Sequence, residues 1–405
     1  MDRTERQKLC IKRWVKSGGK GSLICATGFG KSRIALTIIQ SLVVKNPDLS
    51  VLIVVQTEAL KVQWIDHLSK WNLLYNCDVK IINTVIKHSY IVDLLILDEE
   101  HLFASQSFEK VFQVVQYKLI LGLTATLERL DGKEEIIKRY APPCDEVTIK
   151  DAEKNGWVSK FKEYVILLNV DLTEYNNLNK KFNSYFSYFN FDFNTGMKCL
   201  QDLKFRNTYA KQIGLNGKKL ATIAADWMRS LRKRKEFIML HPKKLEIIKK
   251  IIEARKDRKI ITFSPTIEEA KKIGSKYIIA SSQSKALNNK ILEEFKNVDK
   301  GVICSVKALN TGADIPGLSV EIVANVDSSK ITKVQKTGRC IRFEDNKFAE
   351  IFTLLIAGTQ EINWFRNSST TDYTVITEKQ LDDVLAGKQV EGTKFSSFFD
   401  KNKRY

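Results

Sequence analysis

Eleven residues, Ser22 to Ser32 (SLICATGFGKS), hold the side chains of this chain best suited to chemistry. A short apolar start, Leu23 and Ile24, runs into a glycine-rich turn that ends in Gly30, Lys31 and Ser32, and apolar residues at helical spacing follow from Arg33 to Val44. The pattern predicts a strand, a loop and a helix N-terminus. Backbone N–H groups of such a loop, Thr27 to Gly30 among them, and the positive end of the helix dipole can surround a triphosphate. Lys31 can neutralise its outer charges, and Ser32 can offer a hydroxyl to Mg2+. Gly28 and Gly30 suit close backbone approach as no other residue would. The first loop position, glycine in the plain pattern, is Cys25.

A second constellation starts at Leu94, where Leu-Leu-Ile-Leu leads to Asp98, Glu99, Glu100 and His101. An apolar strand that delivers adjacent carboxylates suits nucleotide hydrolysis. Asp98 can hold Mg2+, usually through water, while Glu99 orients and deprotonates the attacking water. Three acids at a strand end would also make a solvated turn; the phosphate loop upstream favours the catalytic reading. A further apolar stretch, Leu119 to Leu123, ends in Thr124-Ala125-Thr126, whose two hydroxyls could relay hydrogen bonds from the carboxylates to another domain; by themselves they would also make an ordinary turn.

Elements of a definite kind must position these groups. Apolar strands at Val51–Val55, 79–82, 94–97 and 119–123 alternate with helical patterns such as 60–68, which reads as a buried parallel sheet with its chemistry at the strand ends. The rhythm returns at 260–263, 277–280, 302–304, 321–324 and 351–355 as a second parallel sheet without a phosphate loop. In that half, Gln335, Arg339 and Arg342 lie in QKTGRCIR, with the two guanidiniums three residues apart on one helical face. Arginine stays charged and binds phosphate oxygens in a fork, so this pair is fitted to complete a phosphate site from across a cleft.

Composition sets the bounds. With 405 residues, the chain is long enough for two domains and something extra. The 66 basic residues against 47 acidic ones give +19, which points to a polyanion, nucleic acid first, with plain solubility as the other reading. Seven scattered cysteines without a CxxC pair and only four histidines disfavour zinc or a disulfide framework and suit a reducing compartment. Neither an apolar leader nor a membrane-length apolar run is visible, so a cytoplasmic protein without membrane contact is expected; the Lys/Asn/Ile-rich composition suits one encoded by a phage in a bacterial host.

Gln7, ATGFGKS, VVQTEAL with Gln63-Trp64, DEEH and GLTATLERLDG, in this order and spacing, resemble motifs Q, I, Ia, II and III of superfamily 2 helicases and translocases. ITFSPTIEEA, the run from Ala308 to Pro316, and QKTGRCIR resemble motifs IV, V and VI. The stretch from Gly122 to Lys162 is similar to the branch holding the XPB-type DNA translocases and the UvsW-type branched-DNA helicases of large phages. DEEH stands where many relatives have DEAH or DEAD, with the metal and base positions matched.

The resemblance implies two RecA-like domains in tandem and a monomeric, nucleic-acid-stimulated ATPase acting on forked or junction DNA, with RNA as the nearest alternative. It implies that Gln7 reads adenine, that Gly312 and Asp314 of motif V approach the nucleotide, and that Arg339 and Arg342 close on the γ-phosphate. His101, Thr124 and Thr126 would couple hydrolysis to motion. Thr57, Thr84, Ser264 and Thr311 would touch nucleic acid. On these grounds, residues 1–147 form the first domain, 148–240 a helical, basic linker, 241–375 the second domain and 376–405 an extension that packs on that domain or contacts DNA or a partner.

The linker carries two further features. Arg229, Arg232 and Lys233 share a helical face, which suits phosphate contact or a solvated surface. Six aromatics between Phe182 and Phe191 follow helical spacing; burial against a neighbouring domain is the reading that spacing favours, and a wedge or stacking surface for unpaired bases is the other.

Overall fold

The structure, a computed structural model, describes residues 1–104, 108–127, 132–307, 315–326, 340–341, 344, 347–368 and 372–392. Its strands are β1 Lys20–Cys25, β2 Val51–Val55, β3 Cys77–Ile81, β4 Tyr90–Asp98, β5 Val115–Thr124, β6 Pro143–Val147, β7 Lys160–Leu168, β8 Lys259–Phe263, β9 Tyr277–Ala280, β10 Gly301–Val306, β11 Leu318–Val323, β12 Phe348–Ile356 and β13 Thr374–Thr377. Among the described residues, the first six form one sheet in the order β3-β2-β4-β5-β1-β6. The other seven form a second sheet in the order β13-β7-β12-β11-β8-β10-β9. Every pairing is parallel. Each sheet therefore has one edge where all strands end, the arrangement of tandem RecA-like domains.

The central strands are apolar on both faces because helices cover both. Val51–Val55 is buried throughout, and Leu94 to Leu97 have no exposed surface. One apolar cluster runs from Leu23 and Leu121 of the first sheet through Trp157, Val158 and Phe161 to Ile261 and Ile351 of the second, so the connector is part of the core.

Two boundaries differ from those read in the sequence. The segment 148–240 is not all helical: β7 pairs with β12 over nine residues and with β13 over four, inside the second sheet. Its partners lie 188 and 210 residues downstream, and no local pattern announces such a pairing. The stretch after 375 likewise begins inside that sheet with β13, followed by the capped helix Glu378–Leu385, whose Leu381 and Val384 are buried against it.

Between β7 and β8 stands a helical module made of Thr173–Phe186, Phe193–Gln201, Leu203–Gln212 and Gly217–Leu240. It has its own core around Trp227, with Phe189, Cys199, Ala210, Leu220 and Ala224. Phe182 and Phe186 pack on the same indole, so these two rings are held within the module and not against a neighbouring domain. The module is fastened to the second domain. Gln360 N–H donates to Tyr175 Oη at 3.0 Å, and beyond the following turn the buried Lys244 ammonium donates to Glu361 Oε1 and to the Ala324 carbonyl, each at 2.7 Å.

Candidate nucleotide site and nucleic-acid face

The site is built on three neighbouring strands, β4, β5 and β1, whose ends carry Asp98, Thr124 and Cys25. Beyond Cys25 the chain turns through Thr27, Gly28 and Gly30 into the helix Lys31–Val43. Gly28 (φ 85°) and Gly30 (φ 101°) both lie in the left-handed region, where a side chain would be strained. Gly30 caps the helix without a side chain, so no side-chain oxygen occupies the first amides, which leaves them for an anion. Cys25 does not obstruct the loop. Its thiol is fully buried, and hydrogen bonding with Cys10, together with burial, holds it well above its ordinary pKa.

The N-terminal helix Arg3–Lys16 clamps the loop from outside. Gln7 Nε2 donates to Phe29 O at 2.8 Å, while one turn earlier Arg3 donates to Phe29 O at 3.1 Å and to Gly28 O at 2.6 Å. A Cβ on Gly30 would come within 2.6 Å of Gln7 Nε2. Arg6 anchors the same helix through an ion pair with the buried Asp145 at 2.5 Å. Gln7, expected to read adenine, thus lies against the loop; Arg3 was missed, and its only signal was its position four residues before Gln7 on a helix capped by Asp2 and Glu5.

The carboxylates meet the lysine in the middle. Lys31 Nζ lies 3.6 Å from Glu99 Oε1 and 3.5 Å from the Cys25 carbonyl. Asp98 is buried; burial first and the Glu99 charge second push its pKa up to about 6, against a hydrogen bond from Trp64 Nε1 at 2.8 Å. Glu99 sits at φ 53°, ψ 51°, a left-handed conformation that costs a non-glycine residue about 1 to 3 kcal/mol. Its Oε2 is buried without a hydrogen-bond partner. Crowded carboxylates with an orphaned oxygen make a pocket short of positive charge, which fits a divalent cation beside a phosphate. Among the described residues no three His, Cys, Asp or Glu form a metal cluster, so a cation here would take its other ligands from nucleotide, Ser32 and water.

The residues expected to couple the site to motion lie close together. His101 Nδ1 is 2.8 Å from Thr124 Oγ1 and 3.5 Å from Glu99 Oε2, and Thr124 donates to the Thr126 carbonyl at 2.7 Å. Glu100 belongs to a different network. It is fully buried, pushed up to about 8 by burial, and lies 2.7 Å from Ser22 Oγ, which is also 2.7 Å from the Ala141 carbonyl. Ser22 has one hydroxyl proton, and the carbonyl can only accept it, so Glu100 bridges to Ser22 as a neutral acid. Gly122 makes the room: a Cβ there would lie 1.6 Å from Glu100 Oε2.

The residues expected to touch nucleic acid are spread wider. Thr57 caps the helix Glu58–Lys70 after β2, and Thr84 is exposed after β3, so both occupy the strand-end edge of the first sheet beyond the carboxylates. Ser264 follows β8 but is buried, with its hydroxyl unpartnered, and is not presented at the surface. Arg229, Arg232 and Lys233 are exposed on the helix Gly217–Leu240, Arg229 in an ion pair with Asp226 at 2.5 Å. Gln335, Arg339, Arg342, Thr311, Gly312 and Asp314 lie outside the described residues. Trp64, which holds Asp98, is a residue whose role the sequence did not reveal.

The chain matches the family described as helicase conserved C-terminal domain over residues 243–344. It matches the one described as type III restriction enzyme, res subunit, over 1–90 and 74–129. With two tandem parallel sheets, it is a superfamily 2 ATPase of the helicase class.

Among particular relatives, it is 28% identical over 382 residues to the DNA 3'-5' translocase XPB2 of Sulfurisphaera tokodaii, across 88% of this chain and 82% of that one. A stretch of 151 residues is 34% identical to African swine fever virus QP509L, which carries an RNA helicase name; it spans 31% of this chain and 29% of the viral one. In fold, the Pyrococcus furiosus Hef helicase domain superposes with a TM-score of 0.53 at 16% identity, covering 91% of this chain and 97% of that one.

Proposed function

We propose that the chain is a DNA-dependent ATPase that remodels branched duplexes, unwinding forks or migrating junctions in replication, recombination or repair. The observation that carries the choice of DNA is the likeness to the archaeal DNA translocase, which runs through both sheets and the module between them. The resemblance of 122–162 to the XPB and UvsW branch supports the branched substrate.

In this reading ATP binds at the strand-end edge of the first sheet, its phosphates against the loop amides and Lys31, its adenine beside Gln7. Asp98 and Ser32 would hold Mg2+, which would supply positive charge against the phosphates. Glu99 orients the attacking water and takes its proton, and the strained backbone aims its carboxylate inward. Arg339 and Arg342 approach the γ-phosphate from the second domain, so closure is favoured only while that phosphate is present. Thr124 and His101 link the carboxylates to the domain interface. Thr57, Thr84, Thr311 and the basic face of the module grip the backbone, which positions DNA without reading sequence.

The test is ATPase stimulation and strand separation on single-stranded, blunt, forked and four-way DNA, with RNA counterparts. Forked and four-way DNA are expected to stimulate most. Stimulation by structured RNA but not by forked DNA would make the chain an RNA helicase, and triplex displacement without strand separation would make it a duplex-tracking motor.

A further inference from the structure

The helical module divides its aromatics unevenly. Trp227 is a buried hub: Phe186 stacks on it at 5.3 Å and 13°, Phe189 and Phe193 pack at 5.3 Å, and Gly196 lets the next helix seat on it, since a Cβ there would come within 2.6 Å of the indole. Three rings beside this hub keep an exposed face, Phe193 among them even as it packs on the indole. Phe191 is 61% exposed, Phe193 49% and Tyr188 41%.

Phe191 is unusual twice over. It and Asn190 are consecutive non-glycine residues with positive φ, 56° and 50°. Asparagine tolerates that conformation; a bulky phenylalanine does not. The strained turn lifts the ring off the hub and into solvent, leaving it one edge contact with Phe186 at 5.6 Å. Neither the strain nor the exposure is recovered within the fold by that single contact. Behind it the hub is fully buried, and the Tyr188 carbonyl accepts from Tyr209 Oη at 3.2 Å.

The surroundings select a partner. Residues 173–240 hold thirteen Lys and Arg against five Asp and Glu. Three of those acids are already engaged: Asp192 and Asp202 cap helices, and Asp226 pairs with Arg229. Exposed rings on a cationic scaffold are the means by which proteins hold unpaired bases without regard to sequence.

We propose that the Tyr188–Phe193 turn is a stacking platform for unpaired nucleobases, with Phe191 as the ring that meets the first base beyond a single-strand/double-strand junction. This rests on the DNA reading above and adds a contact that distinguishes a fork from a plain duplex. The platform binds bases by their faces, and exposed lysines and arginines of the module bind the backbone.

The test uses the full chain and a forked DNA with 2-aminopurine at the first unpaired position. Wild type is expected to quench the probe. Phe191→Ala abolishes the quench and weakens fork binding roughly tenfold to hundredfold, the loss of one stacked base, with blunt-duplex affinity unchanged. Phe191→Trp restores both fork affinity and quench. Equal loss on fork and duplex, or no loss on either, overturns the platform while leaving the DNA reading intact. So does a change of oligomeric state in Phe191→Ala with the quench retained, which would make a second copy the occupant. A wild-type chain that binds no DNA of any form defeats both.

Discussion

Phe29 of the glycine-rich loop and Trp157 of the connector pack ring to ring, centroids 5.4 Å apart at 56°. Two residues on, Ser159 N–H donates to the Ile341 carbonyl at 3.0 Å, and Ser159 Oγ accepts from Glu344 N–H at 3.1 Å. The glycine-rich loop and the residues flanking Arg342 are therefore held by one strap. Trp157→Ala is expected to cost about 3 to 5 kcal/mol of stability, read by urea unfolding, because it empties a core site. In ATPase assays below the unfolding transition it is expected to lower kcat more than ATP affinity, as Arg342→Ala should, whereas Trp157→Phe keeps most of both. Equal loss of ATP affinity would show that the strap only supports the loop.

Trp64 supplies the one side-chain hydrogen bond that favours ionised Asp98, whose pKa burial pushes up to about 6. The carboxylate must be ionised to attract a cation, so Mg2+ affinity is expected to fall as pH drops through about 6. Trp64→Phe removes the donor, raises the Asp98 pKa further and moves that loss to higher pH. Calorimetric titration of Mg2+ between pH 5 and 8 checks the direction; an unmoved profile would contradict it.

Glu100 makes an opposite kind of pH dependence. Its ordinary value is 4.5 and burial raises it to about 8, so between these values the folded chain holds a proton that the unfolded chain has lost. Stability contributed by this group therefore falls as pH rises from 4.5 to about 8, by on the order of 3 kcal/mol at pH 7. Glu100→Gln keeps a donor for Ser22 and removes the titration. Unfolding in chelator is expected to show the variant gaining on wild type steadily from pH 5 to pH 8; parallel curves would refute the neutral acid.

Gly122 leaves space for that acid. Gly122→Ala would set a methyl 1.6 Å from Glu100 Oε2 and 2.6 Å from Ser22 Oγ. Overpacking of this kind costs about 1 to 3 kcal/mol, and it displaces the turn carrying Glu99. The pair Gly122→Ala with Glu100→Ala is expected to recover both stability and turnover. Failure of that rescue would mean that Gly122 serves the backbone and not the side chain.

These networks mark where the sequence stops being legible. The strand–turn–helix around Lys31 and the placing of Asp98–His101 at a strand end could be read directly because the residues are contiguous with an apolar strand. Trp64, Arg3 and the Ser22–Glu100 bridge could not, since each partner comes from a different element and only the sheet order brings them together. β7 failed for the same reason: KFKEYVILL is visibly apolar, but nothing local tells which sheet receives it. Ser264 shows the converse, a motif position whose exposure depends on packing that the sequence does not display.

The proposed function requires that hydrolysis at Glu99 drive the work on DNA. Its most direct test is Glu99→Gln, assayed for ATP binding, fork-stimulated turnover and strand separation in the same preparation. Retained ATP binding with turnover and strand separation both lost is the expected result. Strand separation that persists at the wild-type rate would contradict it and leave a nucleic-acid scaffold with an idle nucleotide site.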